Sequence, residues 1–149
     1  MSKIRSRGRE NLEMSGNKGI YDSNVIILFS KGKIDIEMLS LKYDQVYASI
    51  IIFIEVYAFD FEDKDEKALV DLFFRNVEIV EVNNEIADQT IRYRKNKAKK
   101  IKLRDAIILA SAKVVGADLV TDNFSDFHNV DSSVNLLNLD DFKVKGHML

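Results

Sequence analysis

Residues 104–127 read RDAIILASAKVVGADLVTDNFSDF, and this stretch decides the fold class. From Asp105 to Val115 the residues are almost all apolar and long enough for a buried helix. Gly116 then supplies the left-handed conformation that suits a helix C-terminus. Asp118–Thr121 follows as a short strand, and polar residues including Asp122 and Asp126 come directly after it. A buried helix feeding a short strand that ends in carboxylates is the repeating unit of an open parallel sheet, whose functional residues collect past the strand C-termini.

The same alternation extends outward in both directions. Gly19–Tyr21 reads as a strand, Asp22, Ser23 and Asn24 as residues that cap helices, and Val25–Ser30 as an apolar helix. Gln45–Ala48 is a second strand. Periodicity alone does not settle Ser49–Phe59, because its run of isoleucines suits a buried strand or a buried helix; we assign a helix capped by Ser49. Asp65–Arg75 reads as a helix, Val77–Val82 as a strand, Asn84–Asn96 as a helix with a polar face, and Val134–Leu137 as the last strand. The expected class is α/β with a mainly parallel sheet.

The chain of 149 residues is 46% hydrophobic, has no proline and only six glycines, and shows no repeat or low-complexity linker. One domain is expected over residues 19–149, preceded by a polar, basic, mobile extension over residues 1–18. Without cysteine there can be no disulfide, thiolate nucleophile or sulfur-bound metal, which fits a reducing, cytoplasmic setting. The longest purely apolar run, Ile50–Ile54, is far too short to span a membrane. Acidic and basic residues nearly balance at a net charge of −2, so any nucleic-acid site must be a local patch.

The strand ends nominate the chemistry. Asp22 follows the first strand, Glu55 lies in the helix after the second, Asp105 opens the apolar helix, and Asp122 and Asp126 follow Thr121. Each has a plain structural reading: Asp22 and Asp105 as helix caps, Asp122 and Asp126 as turn residues, Glu55 as the polar edge of a helix. Glu55 stands among large apolar neighbours and has no lysine or arginine nearby in sequence, so its charge calls for a cation, a metal or water. Like charges gathered from separate junctions repel unless a cation sits among them. An all-oxygen ligand set suits Mg²⁺ or Mn²⁺ rather than zinc, and carboxylate-held Mg²⁺ is common equipment for hydrolysing phosphodiesters. The two histidines, His128 and His147, have no metal-ligand spacing and read as surface residues.

In order, Ile20-Tyr21-Asp22-Ser23-Asn24-Val25, Ser49 with Glu55 six residues on, Arg104-Asp105-Ala106, and Leu119 through Phe127 resemble the motifs of PIN-domain ribonucleases, particularly VapC-type toxins of toxin–antitoxin pairs. The resemblance covers about residues 18 to 140. It implies a three-layer α/β/α PIN fold and Mg²⁺- or Mn²⁺-dependent endoribonuclease activity on RNA. It also implies a homodimer and inhibition by a cognate antitoxin. Asp22, Glu55 and Asp105 match the family's first three acids, and Asp122 or Asp126 the fourth. Asn24, Ser49, Thr121 and Asn123 are the polar residues placed to support them. Ile52 stands where many members carry threonine or serine, so the support of Glu55 differs here.

Residues 91–104 hold eight lysines and arginines and no acid; removing eight cations from a net −2 leaves −10 on the other 135 residues. Arg92, Arg94, Lys95, Lys97, Lys99, Lys100, Lys102 and Arg104 are therefore expected to bind RNA phosphates beside Asp105, with Tyr93 stacking on an unpaired base. The competing reading is a solvated helix end that balances an acidic body. No G-x-G-x-x-G, P-loop or G-x-S-x-G motif is present. Asn24, two residues after Asp22, argues against an aspartyl-nucleophile phosphatase, and Thr121 stands where a receiver domain carries lysine. The rival from another class is a catalytically silent PIN-like module that binds RNA or protein.

Overall fold

The computed structural model describes residues 17–144. Five strands, β1 (Lys18–Tyr21), β2 (Gln45–Ser49), β3 (Glu78–Val80), β4 (Asp118–Thr121) and β5 (Leu136–Asn138), form one sheet in the order β3-β2-β1-β4-β5, and every pairing is parallel. The helices are α1 (Ser23–Ser30), α2 (Ile36–Ser40), α3 (Ile50–Tyr57), α4 (Lys64–Arg75), α5 (Asn84–Lys95), α6 (Leu103–Val115) and α7 (Phe124–Phe127). The chain winds from β1 to β3 in one direction, then crosses back through α5 and α6 to β4 and β5. Right-handed crossovers put the two runs of helices on opposite faces, giving the expected PIN-like α/β/α sandwich. The winding reverses between β1 and β4, which opens a crevice at their C-terminal ends.

Ile20, Ile26, Ile52, Ile108, Leu109 and Leu119 are wholly buried and tie both helical layers to the sheet. Each strand is only three to five residues long, so the core depends on these inward side chains more than on the sheet's own ladder. Gly116 adopts φ 78° and closes α6, as its position predicts. Gly19 has another role. A Cβ there would stand 2.8 Å from the Tyr43 ring, so the ring's seat against β1 requires a glycine.

Several boundaries differ from the sequence reading. Helix α6 starts two residues before Asp105, with Lys102 at its N-cap position and no side-chain cap, so Asp105 sits in its first turn rather than serving as its cap. β3 is shorter than Val77–Val82. The last strand lies at Leu136–Asn138, because Val134 closes a turn onto Asp131 and it is Leu136 that registers with Leu119. Helices α2 and α7 and a 3₁₀ turn over Leu139–Phe142 lacked enough periodicity to be anticipated. The expected N-terminal extension lies outside the described residues up to Gly16. Asn17 and Lys18 belong to the folded chain: the Asn17 carbonyl accepts from the backbone of Asp44, and Lys18 begins β1.

Candidate active site

Asp22 is set by three constraints at the end of β1. Its backbone N–H donates to the Val120 carbonyl, its side chain caps α1 by accepting from Ser23 N–H at 2.8 Å, and its Oδ2 accepts from the Thr121 hydroxyl at 2.9 Å. Asp22 and Thr121 are both completely buried, so this bond joins β1 to β4 across the switch point. The Asn123 N–H donates to Thr121 Oγ1 and fixes the hydroxyl's orientation. Ser49, also wholly buried, caps α3 by accepting from Ile51 N–H, and α3 then carries Glu55 to the crevice.

Arg104 joins three of the acids. Its Nη2 donates to Asp22 Oδ1 at 2.6 Å, Glu55 Oε1 at 2.8 Å and Ser23 Oγ at 3.0 Å; its Nε donates to Glu55 Oε2 at 2.8 Å, and its Nη1 to Asp105 Oδ1 at 2.8 Å. The guanidinium grips Glu55 with two parallel bonds, the strongest geometry open to such a pair. Burial opposes the arginine's charge, but the hydrogen bonds and fields of Glu55, Asp22 and Asp105 outweigh it and push its pKa above the ordinary value. One cation thus faces three anions, which leaves the cluster formally negative.

Glu55 finds the cation its charge calls for 49 residues away in the chain, and its side chain is 38% exposed. One sequence expectation is corrected. Arg104 faces inward to the acids instead of outward to a phosphate.

The fourth acid does not join them. Asp122 pairs with Lys143 at 2.8 Å, and Lys143 also reaches Asp140 at 3.1 Å. These two carboxylates raise the lysine's pKa. Asp126 is exposed on α7. Among the described residues, no three acids or histidines stand close enough to share one ion as they lie. The donor set nevertheless fits a hard divalent cation in kind, since it offers carboxylate and hydroxyl oxygens only. Its spacing is that of a guanidinium. Asn24 lies in the first turn of α1, His128 is exposed, and His147 is outside the described residues.

The basic run divides. Tyr93 is buried on the stripe of α5 that includes Ile86 and Thr90, and its hydroxyl donates to Asp131 at 2.5 Å, so it cannot stack on a base. Arg94 donates to the Ile101 carbonyl, and Lys99 donates to the carbonyls of Ser125 and His128, bracing the segment before α6 against α7. Arg92 bonds to Gln89 within α5. Lys95, Lys97, Lys100 and Lys102 remain as exposed cations. The 3.6-residue spacing of Ile86, Thr90 and Tyr93 was the signal that Tyr93 faces the core.

The sequence matches the PIN domain family over residues 20–132, most of its length, and the chain belongs to that family. Among solved structures it is similar to a toxin–antitoxin complex from Klebsiella pneumoniae, at 26% identity and a TM-score of 0.65, covering 78% of this chain and 94% of that one. It is also similar to VapBC2 from Rickettsia felis bound to a DNA fragment from their promoter, with 21% identity, a TM-score of 0.69, and 81% and 98% of the two chains covered. DNA-bound VapBC from Salmonella typhimurium gives 21% identity and a TM-score of 0.69 over 83% and 98%. No curated protein sequence matches it.

Proposed function

We propose that this PIN-domain nuclease is a Mg²⁺- or Mn²⁺-dependent endoribonuclease, acting in the cytoplasm as the toxin of a toxin–antitoxin pair. The observation that carries the reading is the convergence of Asp22, Glu55 and Asp105, from three separate elements, on one point at the C-terminal edge of the sheet. Three carboxylates against the single Arg104 guanidinium leave the cluster net negative, which supports the binding of a further cation there.

Asp22 and Asp105 would hold the metal, with Glu55 beside them. When bound, a divalent ion supplies polarisation of a phosphoryl oxygen and a lower pKa for an attacking water. The protein's own part is orientation. Thr121 and the Ser23 backbone hold the Asp22 carboxylate in one rotamer, while Glu55, the most exposed of the three acids and paired through both oxygens with Arg104, would help hold the ion or orient the attacking water once that pairing opens. Lys95, Lys97, Lys100 and Lys102 are the exposed cations placed to draw an RNA backbone toward Asp105, and interactions of that kind give affinity without sequence choice.

Two features support a protein partner. The structures it resembles include toxin–antitoxin complexes. In addition, an apolar cavity of about 320 Å³ lies where Tyr21, Phe29, Ile36 and Leu72 meet, with the exposed Leu72 at its wall. An antitoxin segment with apolar anchors suits this surface. A homodimer is part of the same proposal. No described helix is long and apolar enough to cross a membrane.

The test is RNA cleavage by purified protein freed of any antitoxin. Cleavage with added Mg²⁺ or Mn²⁺, abolished by EDTA and by Asp105→Asn in a folded protein, is the expected result. Equal cleavage by the Asn variant overturns the assignment. No cleavage under any metal condition, with RNA still bound, favours the silent binding module instead.

A further inference from the structure

The acidic centre already holds a cation, and that cation is covalently part of the chain. We propose that Arg104 competes with the divalent metal for the same carboxylate oxygens, so that the protein's metal affinity depends on how readily this guanidinium lets go. The inference rests on reading the centre as a metal-dependent nuclease site.

The oxygens are shared one by one. Asp22 Oδ1, both oxygens of Glu55 and Asp105 Oδ1 accept from Arg104, and Asp22 Oδ2 is engaged by Thr121. Of the six oxygens only Asp105 Oδ2 accepts from neither residue, so a metal shared by Glu55 and either aspartate must take at least one oxygen that the arginine holds. Guanidinium and metal on the same oxygens would also repel each other at short range, where a partly buried setting screens poorly.

The arginine cannot yield by losing its proton, because guanidinium stays charged at any working pH. It can yield by moving. Its side chain is 28% exposed and leaves the first turn of α6 beside the exposed Lys102 and Leu103, so a rotamer change carries the head group into solvent without unfolding the helix. Each ligand then selects its own state. The metal-free centre is closed on Arg104, and the metal-bound centre requires Arg104 released. Apparent metal affinity falls in proportion to the fraction of molecules with the arginine released.

Two consequences distinguish this role from simple structural bracing. Removing the guanidinium weakens the metal-free protein, since three carboxylates then face one another unpaired. The same change strengthens metal binding, whereas a brace that merely shapes the site would weaken both.

The experiment titrates the metal-free full chain with Mn²⁺, reading free Mn²⁺ by electron paramagnetic resonance and thermal unfolding in parallel. R104A and R104Q are expected to bind Mn²⁺ about tenfold tighter than the unsubstituted protein, or more, with R104K in between. Saturating Mn²⁺ should raise the melting temperature of R104A more than that of the unsubstituted chain. Equal or weaker binding in R104A and R104Q overturns the proposal. If R104A does not fold without metal, its recovery on refolding with Mn²⁺ supports the proposal. Failure to recover, together with R104Q binding no tighter than the parent chain, overturns it. Metal-dependent RNA cleavage with unchanged Mn²⁺ affinity in the variants removes the role of Arg104 and leaves the nuclease reading standing. No Mn²⁺ uptake and no cleavage in any of the proteins removes both.

Discussion

Two ionic clusters stand at the C-terminal edge of the sheet, each built from two or more acids gathered around a single cation. In one, Arg104 binds Asp22, Glu55 and Asp105; in the other, Lys143 binds Asp122 and Asp140. Burial separates them. Asp22 is fully buried and Asp105 almost so, with Glu55 at the rim, whereas in the second cluster Asp122 is 24%, Lys143 40% and Asp140 67% exposed. Deep carboxylates with excess negative charge are costly to keep, which supports the proposed site at Asp22 and Asp105, while an ion pair nearer solvent contributes little. The type of residue at a strand end therefore says less than its depth.

The largest expected difference is catalytic. Asp105→Asn should lower metal-dependent RNA cleavage by about a hundredfold or more, while Asp122→Asn should leave it within about threefold, read as initial rates on the same RNA. A comparable loss in both would dissolve the contrast between the clusters and restore Asp122 as a fourth acid.

Next in size is the effect of the exposed cations in the segment that leads into Asp105. Reversing Lys95, Lys97, Lys100 and Lys102 to glutamate should weaken RNA binding. It should also flatten the dependence of log K on log salt by up to about 0.7 for each single-strand phosphate that is no longer neutralised. A filter-binding series from low to high salt measures the slope. An unaltered slope would confine these lysines to the solvated face of the protein.

Removing the buried hydroxyl of Tyr93 should cost about 1–2 kcal/mol of folding stability in Tyr93→Phe, seen in urea unfolding, with RNA binding unchanged. The partner sharpens this test through pH. Burial alone would raise the Asp131 carboxyl, but hydrogen bonds from Ser133, Tyr93 and Lys113 outweigh it and hold the pKa below the usual carboxylate range. A carboxyl with a depressed folded-state pKa contributes stability that is present above its unfolded value of about 4 and is lost as pH falls through the folded value. Asp131→Asn should therefore destabilise at neutral pH, and its deficit should shrink as the solution is acidified below about pH 4. A deficit that stayed constant with pH would assign the loss to packing.

The smallest effect belongs to the exposed cluster. Asp122→Asn should change stability by less than about 1 kcal/mol, and less still in high salt, by thermal unfolding at two ionic strengths.

Much of this architecture was legible from residue order. The apolar helix with its closing Gly116, the Ser49 cap and the strand ends at Tyr21 and Thr121 follow from local rules of capping, periodicity and φ preference, which act over a few residues. The order of acids along the chain was also readable, because a parallel sheet sends every strand end to one edge. The alternation of strands and helices thus determined the α/β class and the candidates Asp22, Glu55 and Asp105.

Tertiary structure alone decided their company. Arg104 lies next to Asp105 in sequence and within a basic run, so local charge pattern assigned it to solvent and RNA, whereas the crossing of α6 over the switch point turns it onto Asp22 and Glu55. Asp122 was indistinguishable from Asp22 as a strand-end acid until the chain's last segment brought Lys143 to it. Secondary structure is fixed by interactions a few residues long and leaves its trace in sequence. Ion pairing across 49 or 82 residues depends on how helices and strands are packed, which the spacing of charges along the chain does not encode.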